Sequence, residues 1–484
     1  MRIKCNRAQL LIFVPLLIGV SIVVNGFLFL KHHKSTVQRV ASTAESGTGG
    51  MKAVAEFFGQ DNRGPKNKRK NKARRNKNQE KKLEPVVPTP DALSPNATFS
   101  ACLLIKDDNE ILNEWLAYHY HVLNLRHLIV AVDPLSSEQP SGILGKWRNL
   151  TDMEVLEWTD AHYMPADFLS TGKPPRKYMQ KKSDFDYDIA HAALVEISNH
   201  RYRQRVFLAK CMKALRQKGN TWVIHIDTDE YVVASKLLRQ MKPDYVKIKS
   251  VEEKGSVLNL LQQAVRKTSE QISYPCVSML RVLFGSVEMP DKDREKDVPP
   301  GFNATTFESL RWRYHALPHN MTYHGNPKVI LDVSAIPEKY FPDDLVYSIH
   351  RPVERYCHKN KELTFTNFRK QPIAVNHYLG SWERYNGRND KRRSREKYDA
   401  RAQVKRGKDD GTRPWLRGFV RSVGFELAST LLGSQYLAPV RSQPEVPIEE
   451  EPVLPEEPVL PEPEELVPQP LVSEESQDVE SATS

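Results

Sequence analysis

"TWVIHIDTDEYVV", Thr221–Val233, is an apolar, β-branched run that ends in Asp227, Asp229 and Glu230. Three carboxylates within four residues repel one another, so something must offset their charge. The run follows "RVFLAKCMKALRQKG", Arg205–Gly219, whose apolar residues recur at helical spacing and whose last glycine suits a helix C-cap. The stretch therefore reads as a core strand entered from a helix. Side chains alternate along an extended chain, which predicts Asp227 and Asp229 on one side and Thr228 and Glu230 on the other. Two adjacent carboxylates are tolerable when a cation sits between them. Oxygen-only ligation suits a hard divalent ion, Mn2+ or Mg2+, which usually takes substrate phosphates as further ligands. Taken alone, Asp-X-Asp is equally an acidic turn that closes a strand.

Working outward, "FSACLLIK" from Phe99 reads as a strand, and "DDNEILNEWLAYHYHVLNL" as a helix. In that helix Ile111, Leu112, Trp115, Leu116, His119, Val122 and Leu123 share an apolar face. Asp107 and Glu110 have the spacing of a capping box. "RHLIVAVDP" and "MEVLEW" read as the next strands. Strand, helix and strand in this order predict a doubly wound α/β sheet, mostly parallel with flanking helices. Ligands bind beyond the carboxyl ends of such strands, where the three acids fall. A haloacid-dehalogenase phosphatase also uses Asp-X-Asp, but on the first strand and followed by X-Thr or X-Val. Here the motif comes later, and Tyr231 stands at that place.

The flanks do not belong to this core. Ala8–Leu30 carries no charged residue, and at ~1.5 Å per helical residue it is long enough to cross a bilayer. A cleaved signal peptide is the competing reading. Basic residues lie on both sides of the run, so the positive-inside rule does not decide its orientation. The large downstream domain favours a type II signal anchor: a cytosolic tail over 1–8, a membrane helix over 9–30 and a stem over 31–95. Arg63–Lys82 holds eleven basic residues and one acid. It resembles a nucleic-acid patch, but behind a membrane span it reads as a solvated stem, and no nucleic-acid partner is expected. The catalytic domain is expected over 96–436. Ser442–Ser484 has thirteen acids, no Lys or Arg, and "EEPVLP" twice in tandem, which predicts a disordered tail over 437–484. The chain carries +11, of which about +10 falls on residues 83–441, a balance that suits an anionic ligand. Sequons at Asn96, Asn149, Asn303 and Asn320 agree with a luminal placement. Cys102, Cys211, Cys276 and Cys357 allow up to two disulfides in three pairings, with free buried thiols the alternative.

"KDDNEILNEWLAYHYHVLNLRHLIVAVDPLS", "FLAKCMKALRQKGNTWVIHIDTDEYV", "RVLFGS" (Arg281–Ser286) and "VNHYLGSWERY" (Val375–Tyr385) occur in order across the folded region. Together they resemble glycosyltransferase family 92 and related family-2-like domains of GT-A fold. The opening departs from that pattern at Asp107-Asp108, and a charged insert lies at Asp291–Asp297. The resemblance implies a Rossmann-like GT-A sheet and a metal-dependent glycosyltransferase of the Golgi membrane. Its donor would be a UDP-sugar, galactose foremost, and its acceptor a glycan. By position it implies that Asp227 and Asp229 hold the metal, with His377 as third ligand or diphosphate contact and His350 as the alternative. Lys106, Asp107 and Glu110 would line the nucleotide pocket, with Glu114 further along the same helix. His119 lies on the apolar stripe and reads as packing. Lys328 would pair with a phosphate, unless it is a solvated strand-end residue. The basic cluster from Arg384 to Lys397 would either clamp the diphosphate or form a solvated helix. Glu288, Asp291, Glu308 and Asp332 are candidates for the base that an inverting transfer needs; nothing in the sequence selects among them. A sugar- or nucleotide-binding domain without turnover is the remaining alternative.

Overall fold

The computed structural model describes residues 86–433, apart from 176–188, 242–245, 269–271, 318–320, 358–370, 389 and 391. The cytosolic tail, the membrane helix, the basic run and the acidic tail expected from the sequence lie outside the described residues. Within them, no helix is long and apolar enough to cross a membrane. All described residues belong to one compact unit, which opens at Pro85.

The expected alternation of strands and helices is present. Strand β1 (Phe99–Ile105) leads into helix α1 (Asn109–Val122), then β2 (Leu125–Val132), helix α2 (Ser141–Leu150) and β3 (Glu154–Trp158). The long helix α3 (Ile189–Gln217) precedes β4 (Trp222–Ile224). Strand β1 pairs in parallel with β2 and β4, and β2 with β3. This parallel block, β3-β2-β1-β4, is the doubly wound half.

The other half reverses direction. Strand β5 (Glu230–Ala234) is followed by helix α4 (Ser256–Thr268) and by β6 (Cys276–Phe284), β7 (Tyr314–His315), β8 (Lys328–Asp332) and β9 (Ile373–Tyr378). Strand β8 runs antiparallel between β4 and β6. Strand β9 joins β6 in parallel and β5 in antiparallel pairing. The sheet is therefore mixed, with the parallel block at one end and mostly antiparallel pairings beyond β4. The chain closes with helices α5 (Trp382–Gly387) and α6 (Arg395–Ala402), the short β10 (Gly407–Lys408), and helices α7 (Trp415–Val423) and α8 (Phe425–Leu432).

Helix α1 is the hub of the core. Leu112, Trp115, Leu116, Tyr118 and Val122 are buried in it, and Trp415 and Phe419 of α7 belong to the same hydrophobic cluster. Tyr118 meets Tyr231 and Trp415 edge-on at 5.1 and 5.7 Å. His119 is a core residue, as its place on the stripe predicts. Its Nδ1 lies 2.8 Å from the Trp115 carbonyl, and its Nε2 accepts the Val232 N–H. Burial depresses its pKa to about 3, so the ring is neutral. The disulfides Cys102–Cys211 and Cys276–Cys357 select one of the three pairings, and the first ties α3 to β1.

Two segments far apart in sequence, "RVLFGS" and "VNHYLGSWERY", become neighbours. Phe284 of β6 pairs with Tyr378 of β9. At Gly285 a Cβ would come within 2.7 Å of the Ala402 and Val404 carbonyl oxygens, so the glycine permits a close backbone approach. The charged insert is exposed for much of its length but tied down by arginines. Arg313 binds Asp293, Arg413 binds Asp297, and Arg413 also donates to the carbonyls of Asp293 and Arg294.

Candidate functional site

The strand expected to carry the acids is interrupted. Strand β4 stops at Ile224, and the chain turns between Asp227 and Glu230, whose N–H donates to the Asp227 carbonyl. The Glu230 carboxylate closes the turn by accepting the Asp227 N–H at 2.8 Å. Simple alternation therefore fails here. Asp227 and Glu230 share one partner, while Asp229 faces another. Ligand atoms of Asp227, Asp229 and Glu230 all lie within 4.8 Å of one another. The cluster stands beyond the carboxyl end of β4, next to the end of β1.

Each carboxylate has one oxygen pinned by a cation. The Lys328 ammonium lies 3.0 Å from Asp227 Oδ2 and 3.0 Å from Glu230 Oε2. Arg388 Nη1 donates to Asp229 Oδ2 at 2.9 Å and Nη2 to Thr228 Oγ1 at 3.2 Å, while Nε contacts Asp108. Asp108 in turn accepts the Thr228 hydroxyl at 2.7 Å. Arg281 Nη1 approaches Glu230 Oε1 at 3.4 Å. The second oxygens of the two buried acids, Asp229 Oδ1 and Glu230 Oε1, accept no hydrogen bond among the described residues. Asp227 is two-fifths exposed and opens the cluster to solvent. Burial raises the Glu230 carboxyl to about 7 against the pull of Lys328. For Asp229, burial also pushes upward, but the Arg388 guanidinium outweighs it and holds the carboxyl well below the usual range.

This donor set fits a divalent cation. It is all oxygen, converges within one ion's reach, and keeps buried oxygens without hydrogen bonds. Asp227, Asp229 and Glu230 are the residues that would hold the ion. His377 sits opposite Glu230 in the β5–β9 pairing, and its Nε2 is 3.8 Å from Asp229 Oδ1. Burial keeps that imidazole neutral, with Arg281 adding to the shift. It is thus beside the cluster and in a form able to ligate. His350 instead has its Nδ1 3.0 Å from the Pro327 carbonyl.

The remaining sequence candidates separate. Lys328 is fully buried and bridges two of the acids, where the sequence suggests a phosphate partner or a solvated strand end. Lys106 contacts Glu196 at 3.5 Å, and Glu110 is exposed. Asp107 takes the left-handed conformation with φ 52°. Its Oδ1 accepts hydrogen bonds from Ser136, Ser137 and Glu138, which fixes the loop after β2. The residue at the helix N-cap is Asp108, whose side chain serves the Thr228–Arg388 network instead of the helix, so no capping box forms. Glu114 is buried and accepts the Glu308 and Ser309 N–H groups and the Ser309 hydroxyl at 2.6–2.9 Å. Of the four candidate bases, Glu308 pairs with Arg384, Glu288 with Arg294 and Arg311, and Asp291 with Arg294. Asp332 lies across from Trp222, at the opposite end of β4 from the cluster.

Sequence reasoning did not single out Glu230 as a candidate ligand, and it gave Asp108 and Arg281 no part in the site. The three-residue spacing of Asp227 and Glu230 was the signal for a turn. For Arg388 only its basic neighbourhood was visible. Arg384 and Arg388 are buried at their side chains, which excludes a wholly solvated helix for that part of the cluster. Near them, Arg392 pairs with Asp390, and the Arg393 guanidinium stacks over Tyr385 at 4.5 Å. A cleft of about 580 Å³ near Ala234, Asn376 and Thr412 includes none of the clustered carboxylates.

No protein-family model matches the chain, and no curated protein sequence matches it. Solved structures do match, and glycosyltransferases are among them. TarS from S. aureus is 14% identical over 59% of this chain, with a TM-score of 0.20; the match spans about a third (35%) of TarS. The galactosyltransferase LgtC, in complex with donor and acceptor sugar analogues, is 11% identical over 71% of this chain and 98% of its own, with a TM-score of 0.23. The mannosyltransferase Ktr4p from S. cerevisiae is 9% identical over 62% and 72%, with a TM-score of 0.22. Likeness at these scores adds no weight beyond the site geometry.

Proposed function

We propose that the chain is a metal-dependent glycosyltransferase that moves a hexose from a UDP-sugar to a glycan acceptor, with galactose the first sugar to test. One observation carries the reading: three carboxylates converge at the strand end with buried oxygens left without hydrogen bonds, inside a ring of cationic side chains. A divalent ion held there, Mn2+ first and Mg2+ second, would supply positive charge to the diphosphate leaving group. Arg388 and Lys328 fix the orientation of the acids. Arg392 and Arg393 supply further positive charge for a diphosphate. His377 is proposed as an additional ligand or diphosphate contact, and Lys106, Asp107 and Glu110 as the nucleotide side of the site.

The enzyme is proposed to be a single-pass type II protein of the Golgi membrane with its catalytic domain in the lumen. Two disulfides support an oxidising compartment. Asn149 is exposed, as a glycosylated sequon must be. The ion pairs across the acids also favour a second reading, a domain that binds nucleotide or sugar without turnover. Nucleotide release from a sugar-nucleotide panel, with Mn2+ or with EDTA, tests the first reading. Metal-dependent binding of UDP without release from any donor would favour the second.

A further inference from the structure

The acidic cluster carries its own counter-charge. Four carboxylates (Asp108, Asp227, Asp229 and Glu230) face three cationic side chains (Lys328, Arg388 and Arg281), which leaves at most one formal negative charge. Lys328 is the central member. It is 1% exposed and equidistant from the two carboxylates. Its position is set from outside the cluster. It begins β8, where it pairs with Met279 of β6, while the acids sit on the turn into β5. The sheet fixes its backbone, and the two carboxylates hold its ammonium.

A divalent cation entering alone would leave at least one net positive charge among desolvated groups. A cation arriving with a nucleoside diphosphate would not, because the phosphates bring the balancing charge. Arg392 and Arg393 share a single carboxylate, Asp390, so this neighbouring pair keeps one positive charge that favours an anion over a second cation. We infer that Lys328 is a positioning residue that makes the site take a divalent cation and a nucleoside diphosphate as one unit, and disfavours the bare cation. This inference rests on the metal-dependent reading above.

Coupling of this kind is reciprocal: UDP must tighten Mn2+ by the factor by which Mn2+ tightens UDP. The test is a titration of the full-length chain with Mn2+, following the free ion by its electron paramagnetic resonance signal, with and without UDP. For the wild type, UDP is expected to tighten Mn2+ at least ~tenfold. In Lys328→Gln, which keeps a donor and removes the charge, Mn2+ alone is expected to bind at least ~tenfold tighter than in the wild type, and the effect of UDP to shrink. A unit charge at this distance is large enough for both changes even in a screened site. Equal Mn2+ affinity with and without UDP in the wild type would overturn the inference and leave the metal site standing. No Mn2+ binding to the wild type under either condition would overturn the proposed function itself. Unchanged Mn2+ affinity in a folded Lys328→Gln would overturn the role of Lys328, and if that variant does not fold, as judged by its melting curve, the wild-type comparison still tests the coupling.

Discussion

Asp229 has one oxygen on Arg388 and the other without a hydrogen bond, in a site it shares with Asp227 and Glu230. Replacing it by Ala removes one carboxylate of the proposed metal site and leaves a buried guanidinium facing a gap. Donor turnover is expected to fall by about two orders of magnitude or more, the usual scale for losing one electrostatic element of such a site. Steady-state nucleotide release measures this. Arg388→Met has a different signature. It strands Asp108 and Asp229, both buried, without their shared cation, and breaking one side of a buried ion network costs about 3–5 kcal/mol. Urea unfolding should show that loss, whereas an exposed arginine such as Arg395 should show almost none. At this scale the sequence is a partial guide. Asp227 and Asp229 are legible because two acids at the end of an apolar run are costly. Glu230 is not, because alternation assumes extended backbone and the chain turns at Asp227. Lys328 reads as a phosphate contact or a solvated residue, since nothing local says that a strand-end lysine points at acids a hundred residues away.

At the level of elements, Glu114 on α1 caps the helical turn Glu308–Arg311 with three accepted hydrogen bonds. Burial raises its carboxyl from 4.5 to about 7. A raised pKa means that the folded state holds the proton more tightly than the unfolded state. The associated stability is fully present below about pH 4.5 and is lost as pH rises through about 7. At ~1.4 kcal/mol per unit the whole change is about 3 kcal/mol. Melting temperature measured from pH 5 to 8 should fall by that contribution, and Glu114→Gln should flatten the fall. Gly285 tests the junction of β6 with the Ala402–Val404 segment. Ala there places a Cβ against two backbone oxygens, so a loss of about 2 kcal/mol or more is expected on unfolding. Strands β1, β2 and β3 and helix α1 are legible because their apolar periodicity is long and regular. The antiparallel strand β8 is not, because its partners β4 and β6 are set by contacts far apart in the chain.

For the molecule as a whole, the two disulfides close loops of 109 and 81 residues. In the chain-entropy account each stabilises the fold by about 4–5 kcal/mol. Reduction under native conditions should lower the melting temperature sharply, and thiol counting before and after reduction should differ by four cysteines. The sequence allows these pairings but does not choose among them, since choice needs the distance between β1 and α3. The central claim is that the strand-end acids serve a sugar diphosphate. The most direct measurement is nucleotide release by the full-length chain across a panel of sugar nucleotides with Mn2+, repeated with EDTA and with Asp229→Ala. Release from one donor, UDP-galactose first, that disappears in both controls is the expected result. A folded chain that releases nucleotide from no donor and binds no UDP in the presence of Mn2+ would contradict it, and would make the cluster an internally neutralised acidic turn.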